Sequence, residues 1–268
     1  MKYKFKTEPY EHQLEALKRS WNKKEYAYFM EMGTGKSKVL IDNIAILYDK
    51  GGINGAVIIA PKGVYRNWSG KEIPAHMPDH VERHVGVWNP APTKLQKREL
   101  MKLFEVSPEL KILIINVEAF STKKGVAFVE KFILAHNTLI AVDESTTIKN
   151  PKAQRTKNLL KLAINSKYRR ILTGFPVTQS PLDLYSQSAF LSTQLLGYSS
   201  YYSFQNRYAK VINRSMGQRT FRQVVGYQNI EELTDNVKEF SYRVLKKECL
   251  DLPDKVYQRR EVELTPEQ

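Results

Sequence analysis

The sequence is poor in cysteine and in long apolar runs. Its single cysteine, Cys249, can form no disulfide within the chain and cannot supply a cysteine-based metal cluster. The amino-terminal residues include lysines but lack the apolar stretch of about 7 to 15 residues that marks a secretory signal. No run of about 18 apolar residues follows anywhere. These absences exclude secreted disulfide proteins and membrane-spanning proteins, and we expect a cytoplasmic protein that works as a monomer.

Acidic residues are scarce relative to basic ones. Lysine and arginine total 42 against 28 aspartates and glutamates, which gives a net charge of +14 and favours a polyanionic partner. Between Ser145 and Leu182 the sequence has no acidic residue and eight basic ones. These are Lys149, Lys152, Arg155, Lys157, Lys161, Lys167, Arg169 and Arg170. Such a stretch indicates either phosphate contact or an ordinary solvated basic face.

Five short apolar runs divide the first 175 residues. They cover residues 27–30, 56–60, 112–117, 139–142 and 171–172. Because they are continuous and rich in Ile and Val, they are typical of strands that a parallel sheet buries on both faces. Helix-like segments lie at 36–49, 93–104, 126–135 and 153–163. The alternation predicts an α/β fold with a doubly wound, mostly parallel sheet flanked by helices, whose ligands bind at the carboxyl ends of the strands.

A glycine-rich segment directly follows the first of these strands and opens the first of these helices. It contains Gly33, Thr34, Gly35, Lys36 and Ser37. Glycines let backbone N–H groups and the amino end of a helix surround phosphate oxygens, while the lysine reaches the terminal phosphates and the hydroxyl binds Mg²⁺. Met30 stands where the general form of this motif has its first glycine. The segment predicts a binding site for a nucleotide phosphate chain and magnesium.

Two neighbouring carboxylates, Asp143 and Glu144, follow the apolar run that ends at residue 142. Taken alone, such a pair is equally well explained as a helix cap. Downstream of a phosphate loop in the same sheet, one acid can hold the Mg²⁺ ion and its neighbour can orient or deprotonate the attacking water. The pair therefore predicts nucleotide hydrolysis.

Six segments, spread over almost the whole chain, match a known series of motifs. In order they are Tyr10 with His12 and Gln13; EMGTGKS; IIAPKGVYRNW with Glu72; DESTTIKNP; ILTGFPVTQSPLDLYS; and ECLDLPDKVYQRREVELTPEQ. The series resembles the motifs of Swi/Snf-type ATPases of helicase superfamily two. Compactness without large insertions is more typical of a bacterial or phage member than of a chromatin remodeller.

The resemblance implies the amino-terminal RecA-like lobe of a motor that uses ATP and magnesium to move along double-stranded DNA, usually without separating the strands. It also implies a second RecA-like lobe in the same protein. Carried over residue by residue, it makes Gln13 the adenine contact, Lys36 the phosphate ligand, Ser37 and Asp143 the magnesium ligands, Glu144 the catalytic base, and Thr173 and Gly174 the groups that couple ATP state to DNA grip.

The resemblance also indicates a path for DNA. It lies near Lys62, Asn67 and Trp68 and along the loop 116–121, which begins at Asn116, and Lys149 of the acid-free stretch is a further candidate. A tryptophan such as Trp68 either anchors packing or stacks on a base, and tracking of a duplex through its backbone favours packing.

Several positions depart from the family pattern. Phe175 stands where the family usually has threonine, and Gln179 where it usually has asparagine. Ser145 and Thr146 replace the usual Ala-His pair, which removes a histidine that could sense the γ-phosphate. The predicted nucleotide ligands are all present.

The sequence is predicted to divide into an ATP-binding lobe over 1–180, a helical extension packed on it over 181–250, and an exit segment toward the second lobe over 251–268. The extension contains the aromatic residues Tyr198, Tyr201, Tyr202, Phe204 and Tyr208 and the basic residues Arg207, Lys210, Arg214, Arg219 and Arg222. The aromatic residues either pack the extension or stack on bases. The basic residues could contact DNA or the second lobe, and the sequence does not choose.

The leading hypothesis is a duplex-DNA translocase that remodels or clears protein–DNA complexes. The alternatives are a strand-separating helicase or restriction-type motor, and a non-hydrolysing DNA-binding module whose site has degenerated at Phe175 and Gln179. Arginines of the second lobe complete the active site in this family, and such an arginine contributes on the order of 10³ to 10⁵ in rate. We therefore expect residues 1–268 alone to bind nucleotide weakly and to hydrolyse it slowly.

Overall fold

The predicted alternation of strands and helices is present in the computed structural model, which describes residues 3–216, 219–249 and 259. The strands are β1 (Glu25–Met30), β2 (Gly55–Ala60), β3 (Arg83–Val87), β4 (Leu110–Asn116), β5 (Thr138–Asp143), β6 (Tyr168–Leu172), β7 (Ala209–Met216), β8 (Arg219–Tyr227) and β9 (Ser241–Val244). The α-helices are α1 (Glu11–Ser20), α2 (Lys36–Asp49), α3 (Tyr65–Asn67), α4 (Ile73–His76), α5 (Lys94–Met101), α6 (Lys123–Ala135), α7 (Gln154–Ala163), α8 (Leu184–Leu191), α9 (Tyr201–Tyr208), α10 (Ile230–Glu239) and α11 (Lys246–Cys249). A π-helical turn, Trp68–Glu72, joins α3 to α4. Short 3-10 turns cover Lys102–Phe104, Val117–Ser121, Ser145–Ile148 and Pro181–Asp183.

Seven strands form one sheet in the order β3-β4-β2-β5-β6-β1-β9, and every strand pair described in it is parallel. Alternate residues of each strand enter two apolar cores on opposite faces. In β2, Val57 and Ile59 belong to one core, and Ala56 and Ile58 belong to the other. Helices cover both cores, as a parallel sheet requires. The predicted doubly wound α/β fold is confirmed, and the carboxyl ends of all seven strands meet at one edge.

The five predicted strands correspond to β1, β2, β4, β5 and β6, but β3 and β9 were not predicted. These two strands form the two edges of the sheet. An edge strand has a neighbouring strand on one side only. Its residues are therefore less buried, and its sequence does not need a continuous apolar run. The burial of β3 shows this, because only Gly86 among its five residues is buried.

The prediction of a helical extension over 181–250 needs a correction. Helices α8, α9 and α10 are present, but β7 and β8 form an antiparallel hairpin and β9 joins the main sheet beside β1. The β-branched residues Val211, Ile212 and Val224 favour strands, and each hairpin strand has polar residues on both sides. That local preference outweighs the helical character of the neighbouring segments.

The extension packs on the same core as the sheet. Leu184, Phe190, Phe204 and Phe240 belong to the apolar cluster that contains Val57 of β2. Residues 250–258 and 260–268 lie outside the described residues, and they include all of the predicted exit segment 251–268 except Arg259. In the described part of the chain, no helix combines the length and the apolar composition needed to cross a bilayer.

Arg170 is a charged residue in the interior of this lobe. Its side chain is fully buried, and its guanidinium donates to Oδ1 of Asn43 at 2.9 Å. It also donates to the carbonyl oxygens of Ser20, Lys23, Lys24 and Arg169 at 2.8 to 3.1 Å. Burial lowers the pKa of Arg170, yet guanidinium stays charged at neutral pH because its pKa in water is so high. These bonds join α1, the residues before β1, α2 and β6.

Two of the basic residues in the acid-free stretch therefore do not contact phosphate. Arg170 is interior, and Arg169 forms an ion pair with Glu25 across the pair of strands β6 and β1. Sequence pattern alone cannot separate a buried arginine from an exposed one, because the carbonyl groups that satisfy Arg170 come from distant positions.

We predict that Arg170→Met lowers the free energy of unfolding by about 3 to 5 kcal/mol, since a side chain of similar size leaves several buried carbonyl groups without donors. Urea denaturation followed by circular dichroism measures the change. The control is Arg98→Met on the exposed face of α5, which should change stability by less than about 0.5 kcal/mol. Equal midpoints for the two variants would contradict the structural role of Arg170.

Candidate active site

The phosphate loop follows β1 at the carboxyl edge of the sheet. Gly33 and Gly35 both have φ of +85°, a conformation that side chains with a Cβ rarely adopt. A Cβ on Gly35 would lie 2.2 Å from Nε2 of Gln13. The helix α2 begins at Lys36, which is largely buried, and continues for 14 residues. Its free N–H groups and the Lys36 ammonium leave a cradle that suits phosphate oxygens.

Helix α1 holds this loop from the other side. Gln13 donates from Nε2 to the carbonyl oxygen of Thr34 at 3.1 Å, and its Oε1 accepts from the backbone N–H of Tyr10. A ring nitrogen of His12 lies 2.8 Å from the same Thr34 oxygen. Both side chains are buried. The predicted adenine-reading residues are therefore in contact with the phosphate loop.

Asp143 ends β5 and faces a buried tryptophan. The indole Nε1 of Trp68 donates to Oδ2 of Asp143 at 3.1 Å, and Trp68 is only 2% exposed. The structure thus supports the packing interpretation of Trp68 and links the segment after β2 to the end of β5. Burial, together with the charge of Glu144, raises the pKa of Asp143 to about 6, although Trp68 and Lys36 oppose the shift.

Glu144 has a strained backbone at the position where β5 ends. Its φ is +49°, one of two positive values among non-glycine residues in the described part of the chain. Such strain concentrates at functional sites. The turn brings Oε2 of Glu144 to 3.2 Å from the hydroxyl of Thr173, which donates to it. Glu144 and Thr173, both predicted from sequence, are therefore in direct contact.

The segment after β6 lies directly beside the phosphate loop. A Cβ on Gly174 would lie 3.3 Å from the backbone nitrogen of Met32, so this position favours a small residue. Phe175 is 61% exposed, and its backbone N–H donates to the hydroxyl of Thr173. The hydroxyl that reaches Glu144 thus belongs to Thr173, and the phenylalanine at 175 does not remove it.

The departure at Ser145 has a structural partner. Its hydroxyl donates to Oε1 of Gln187 at 2.7 Å, and both residues are fully buried. The amide of Gln187 donates in turn to the carbonyl oxygens of Pro176 and Asp183. Ser145 therefore connects the Asp143–Glu144 segment to α8 and to the loop after β6.

Comparisons with known proteins identify the family of this chain. A family model described as the SNF2-related domain matches residues 13–268. The chain belongs to the SNF2-related domain family. The Sulfolobus solfataricus SWI2/SNF2 ATPase core, solved in complex with double-stranded DNA, matches with a TM-score of 0.69 and 24% identity, over all of this chain and 51% of that one. The fold is thus the RecA-like lobe of an SNF2-type ATPase.

Curated relatives also match this chain in sequence. The mouse protein named DNA annealing helicase and endonuclease ZRANB3 is 27% identical over 241 residues, which are 88% of this chain and 21% of that protein. The TATA-binding protein-associated factor MOT1 of Saccharomyces cerevisiae is 36% identical over 120 residues, 44% of this chain and 6% of that protein. The SNF2-related domain described here spans about a fifth or less of these relatives.

Three of the four candidate DNA-binding residues of this SNF2-related domain follow or end neighbouring strands, and the fourth, Lys149, has different contacts. Lys62 and Asn67 follow β2, and Asn116 ends β4, so all three lie at the carboxyl edge of neighbouring strands. Lys62 and Asn67 are exposed, while the amide of Asn116 donates to Glu118. Lys149 instead bonds to the hydroxyl of Thr178 at 2.5 Å and lies 3.5 Å from Asp183. It therefore links the loop after β5 to the loop after β6.

Lys246 is a further residue at the phosphate loop, and the sequence did not predict its position. Strand β9 runs parallel to β1, so the residues after it arrive at the phosphate loop. The backbone N–H of Lys246 donates to Oε2 of Glu31 at 2.8 Å, and a Cβ on Gly33 would lie 3.2 Å from its ammonium. The short strand β9 has no apolar run, and without that strand nothing in the sequence places Lys246 near residue 33.

We predict that Asp143→Asn stabilises the folded chain at pH 7.5 by about 1 to 3 kcal/mol. Because the folded-state pKa of about 6 exceeds that of an unfolded aspartate, ionised Asp143 lowers stability above about pH 6, and this penalty disappears as the pH falls toward about 4. Thermal unfolding of both proteins across this pH range measures the gain, which should shrink at low pH.

The matched control for this prediction is Asp79→Asn. Asp79 is exposed, and its hydrogen bond with Lys6 lowers the pKa of its carboxyl. That substitution should remove a favourable charge and give a small loss of stability. An Asp143→Asn protein that is less stable than the original at pH 7.5 would contradict the view that the buried carboxylate destabilises the fold.

We predict that Lys246→Ala weakens ATP binding on the order of five-fold, because it removes a partly exposed cation beside the phosphate loop. A titration with a fluorescent ATP analogue measures the affinity. Lys247→Ala, which changes the exposed neighbouring lysine, should leave the affinity unchanged. Equal affinities for both variants would show that Lys246 only packs on the loop.

Proposed function

We propose that this chain is the first lobe of an ATP-dependent translocase that moves on double-stranded DNA and remodels or clears protein–DNA complexes. The observation that carries the proposal is the meeting of three segments at one edge of the sheet. The Thr173–Gly174 segment contacts Glu144 of the Asp143–Glu144 pair and also lies beside the phosphate loop. Such an arrangement can bind a nucleotide and report its state to the loop after β6.

The residues suit MgATP chemistry. Lys36 would bind the terminal phosphates, Gln13 would contact the adenine, and Ser37 and Asp143 would hold Mg²⁺. When bound, Mg²⁺ neutralises charge on the phosphates. Glu144 would accept a proton from the water that attacks the γ-phosphorus, while the bond from that phosphorus to the ADP oxygen breaks. Trp68 keeps the Asp143 carboxylate in place through its indole N–H.

Duplex DNA is the proposed track. The Sulfolobus core was solved with double-stranded DNA, and the mouse relative is named a DNA annealing helicase. The exposed Lys62 and Asn67, with Asn116 on the neighbouring strand, would contact the backbone at the carboxyl edge. Backbone contacts position a protein on DNA without reading the sequence, which suits a motor that moves along it.

A second RecA-like lobe is part of the proposal. Because this chain covers 51% of the Sulfolobus core, the other half of such a core would supply the partner lobe and its arginines. Residues 1–268 alone should then hydrolyse ATP slowly. The contact between Thr173 and Glu144 would transmit the nucleotide state to the loop after β6.

We predict that this chain joined to its second lobe hydrolyses ATP faster when duplex DNA is present, and that Glu144→Gln lowers kcat by roughly 10² to 10⁴ because the general base is lost. Steady-state ATP turnover measures both effects. The control is Glu130→Gln on the exposed face of α6, which should keep full turnover.

Two further outcomes separate the alternatives. Absence of turnover in the unaltered protein would favour a non-hydrolysing DNA-binding module. If turnover is present, displacement of a triplex-forming strand without release of an annealed strand supports translocation, whereas release of the annealed strand supports a helicase.

A further inference from the structure

A groove separate from the nucleotide site lies between the hairpin and the loop that follows the Asp143–Glu144 segment. Its cavity measures about 520 Å³, which is within the range of sites that hold small organic groups. It is lined by Asn150, Pro151, Lys152, Tyr201, Tyr202, Gln205, Phe221 and Arg222. One wall belongs to the loop after β5, one to α9, and one to β8.

Aromatic rings are exposed in this groove. Tyr202 is 53% exposed and Phe221 is 46% exposed. Phe204 and Tyr208 are fully buried, and Tyr201 lies edge-on to Tyr185. Tyr202 lies edge-on to Tyr201 but keeps about half of its surface exposed. The interpretation that the cluster packs the extension is therefore right for its interior members. Tyr202 and Phe221 are left with solvent-facing surface in a concave site.

The charge of the groove is positive. Arg222 places its guanidinium 5.8 Å from the ring centre of Tyr202 and donates to Oδ1 of Asn206 at 2.5 Å. Lys152 is exposed and forms no ion pair among the described residues. None of the described residues that line the groove is acidic. The hairpin segment 209–227 has no acidic residue either.

We propose that this groove binds unpaired nucleotides of DNA, with Tyr202 and Phe221 contacting base faces and Lys152 and Arg222 contacting phosphates. Exposed aromatic rings beside cations are the pattern of single-strand binding sites, because stacking needs a base that is free of its duplex. The site extends the proposed function, since an unpaired segment would adjoin the duplex on which the motor acts.

The groove is also connected to the nucleotide site through the chain. Asn150 and Lys152 follow Glu144 by way of the 3-10 turn Ser145–Ile148. The Asn150 side chain accepts from the backbone N–H of Lys152 at 2.9 Å, which fixes the turn that presents the lysine. An occupied groove would therefore contact the same loop that carries Lys149 to Thr178.

The test is fluorescence anisotropy of residues 1–268 with a 20-nucleotide oligothymidine and with a blunt duplex of equal length, in the absence of ATP. We expect Tyr202→Ala and Phe221→Ala each to weaken oligothymidine binding by roughly 5- to 160-fold, the range of one stacked base, and to leave duplex binding unchanged. Tyr202→Phe keeps the ring and should retain affinity.

The matched control is Ile212→Ala. Ile212 is 41% exposed on the neighbouring hairpin strand and does not line the groove, so its loss should leave both affinities unchanged. Circular dichroism of each variant establishes that the hairpin variants are folded. If Phe221→Ala does not fold, Tyr202→Ala on α9 decides the result.

Three results would overturn the proposal. They are unchanged oligothymidine affinity in folded Tyr202→Ala, an equal loss of duplex and oligothymidine affinity, and displacement of oligothymidine by polyglutamate with no effect of either aromatic variant. The proposed motor function has a different readout, namely duplex-stimulated ATP turnover of the two-lobe protein. If only one of these two experiments gives its expected result, the proposal that the other experiment tests has failed.

Discussion

The interaction on which the lobe most depends is the burial of the Arg170 guanidinium among backbone carbonyl groups. It joins the end of α1, the residues before β1, the side chain of Asn43 in α2 and the strand β6. Each of these elements carries one part of the nucleotide site. Helix α1 holds Gln13, β1 leads into the phosphate loop, α2 begins at Lys36, and β6 leads to Thr173. A single buried cation thus fixes the relative positions of groups that are far apart in sequence.

The second constraint is that the carboxylates of Asp143 and Glu144 lie close together in a partly buried site before any ligand is bound. Burial and the neighbouring carboxylate raise the pKa of Asp143, and Glu144 adopts a left-handed backbone conformation that stores strain. Lys36 and the Trp68 indole offset only part of this. We therefore expect ionised Asp143 to lower the stability of the folded chain, and a bound cation would offset this cost. This is the usual relation between stability and function at a prepared site.

The nucleotide ligands could be predicted from the sequence because they depend on local pattern. The loop from Gly33 to Ser37 and the pair Asp143–Glu144 each follow an apolar run, and a parallel sheet brings the ends of such runs to one edge. The contacts of Arg170, Trp68 and Lys246 could not be predicted, because each joins residues that only the tertiary fold brings together. The edge strands and the hairpin were missed for a related reason. Their sequences alternate weakly, and their pairing partners, not their composition, establish them as strands.

The departures from the family pattern do not disconnect the segment after β5 from the segment after β6. Three contacts join them: Thr173 to Glu144, Ser145 through Gln187 to Pro176, and Lys149 to Thr178 and Asp183. Asp183 also accepts from the backbone N–H groups of Thr178 and Gln179, which holds that loop whatever side chain stands at 179. A binding module that does not hydrolyse nucleotide would not need the link from Thr173 to the proposed base Glu144. The presence of that link supports the proposed hydrolysing motor, and the exposed side chain of Phe175 takes part in none of the three contacts.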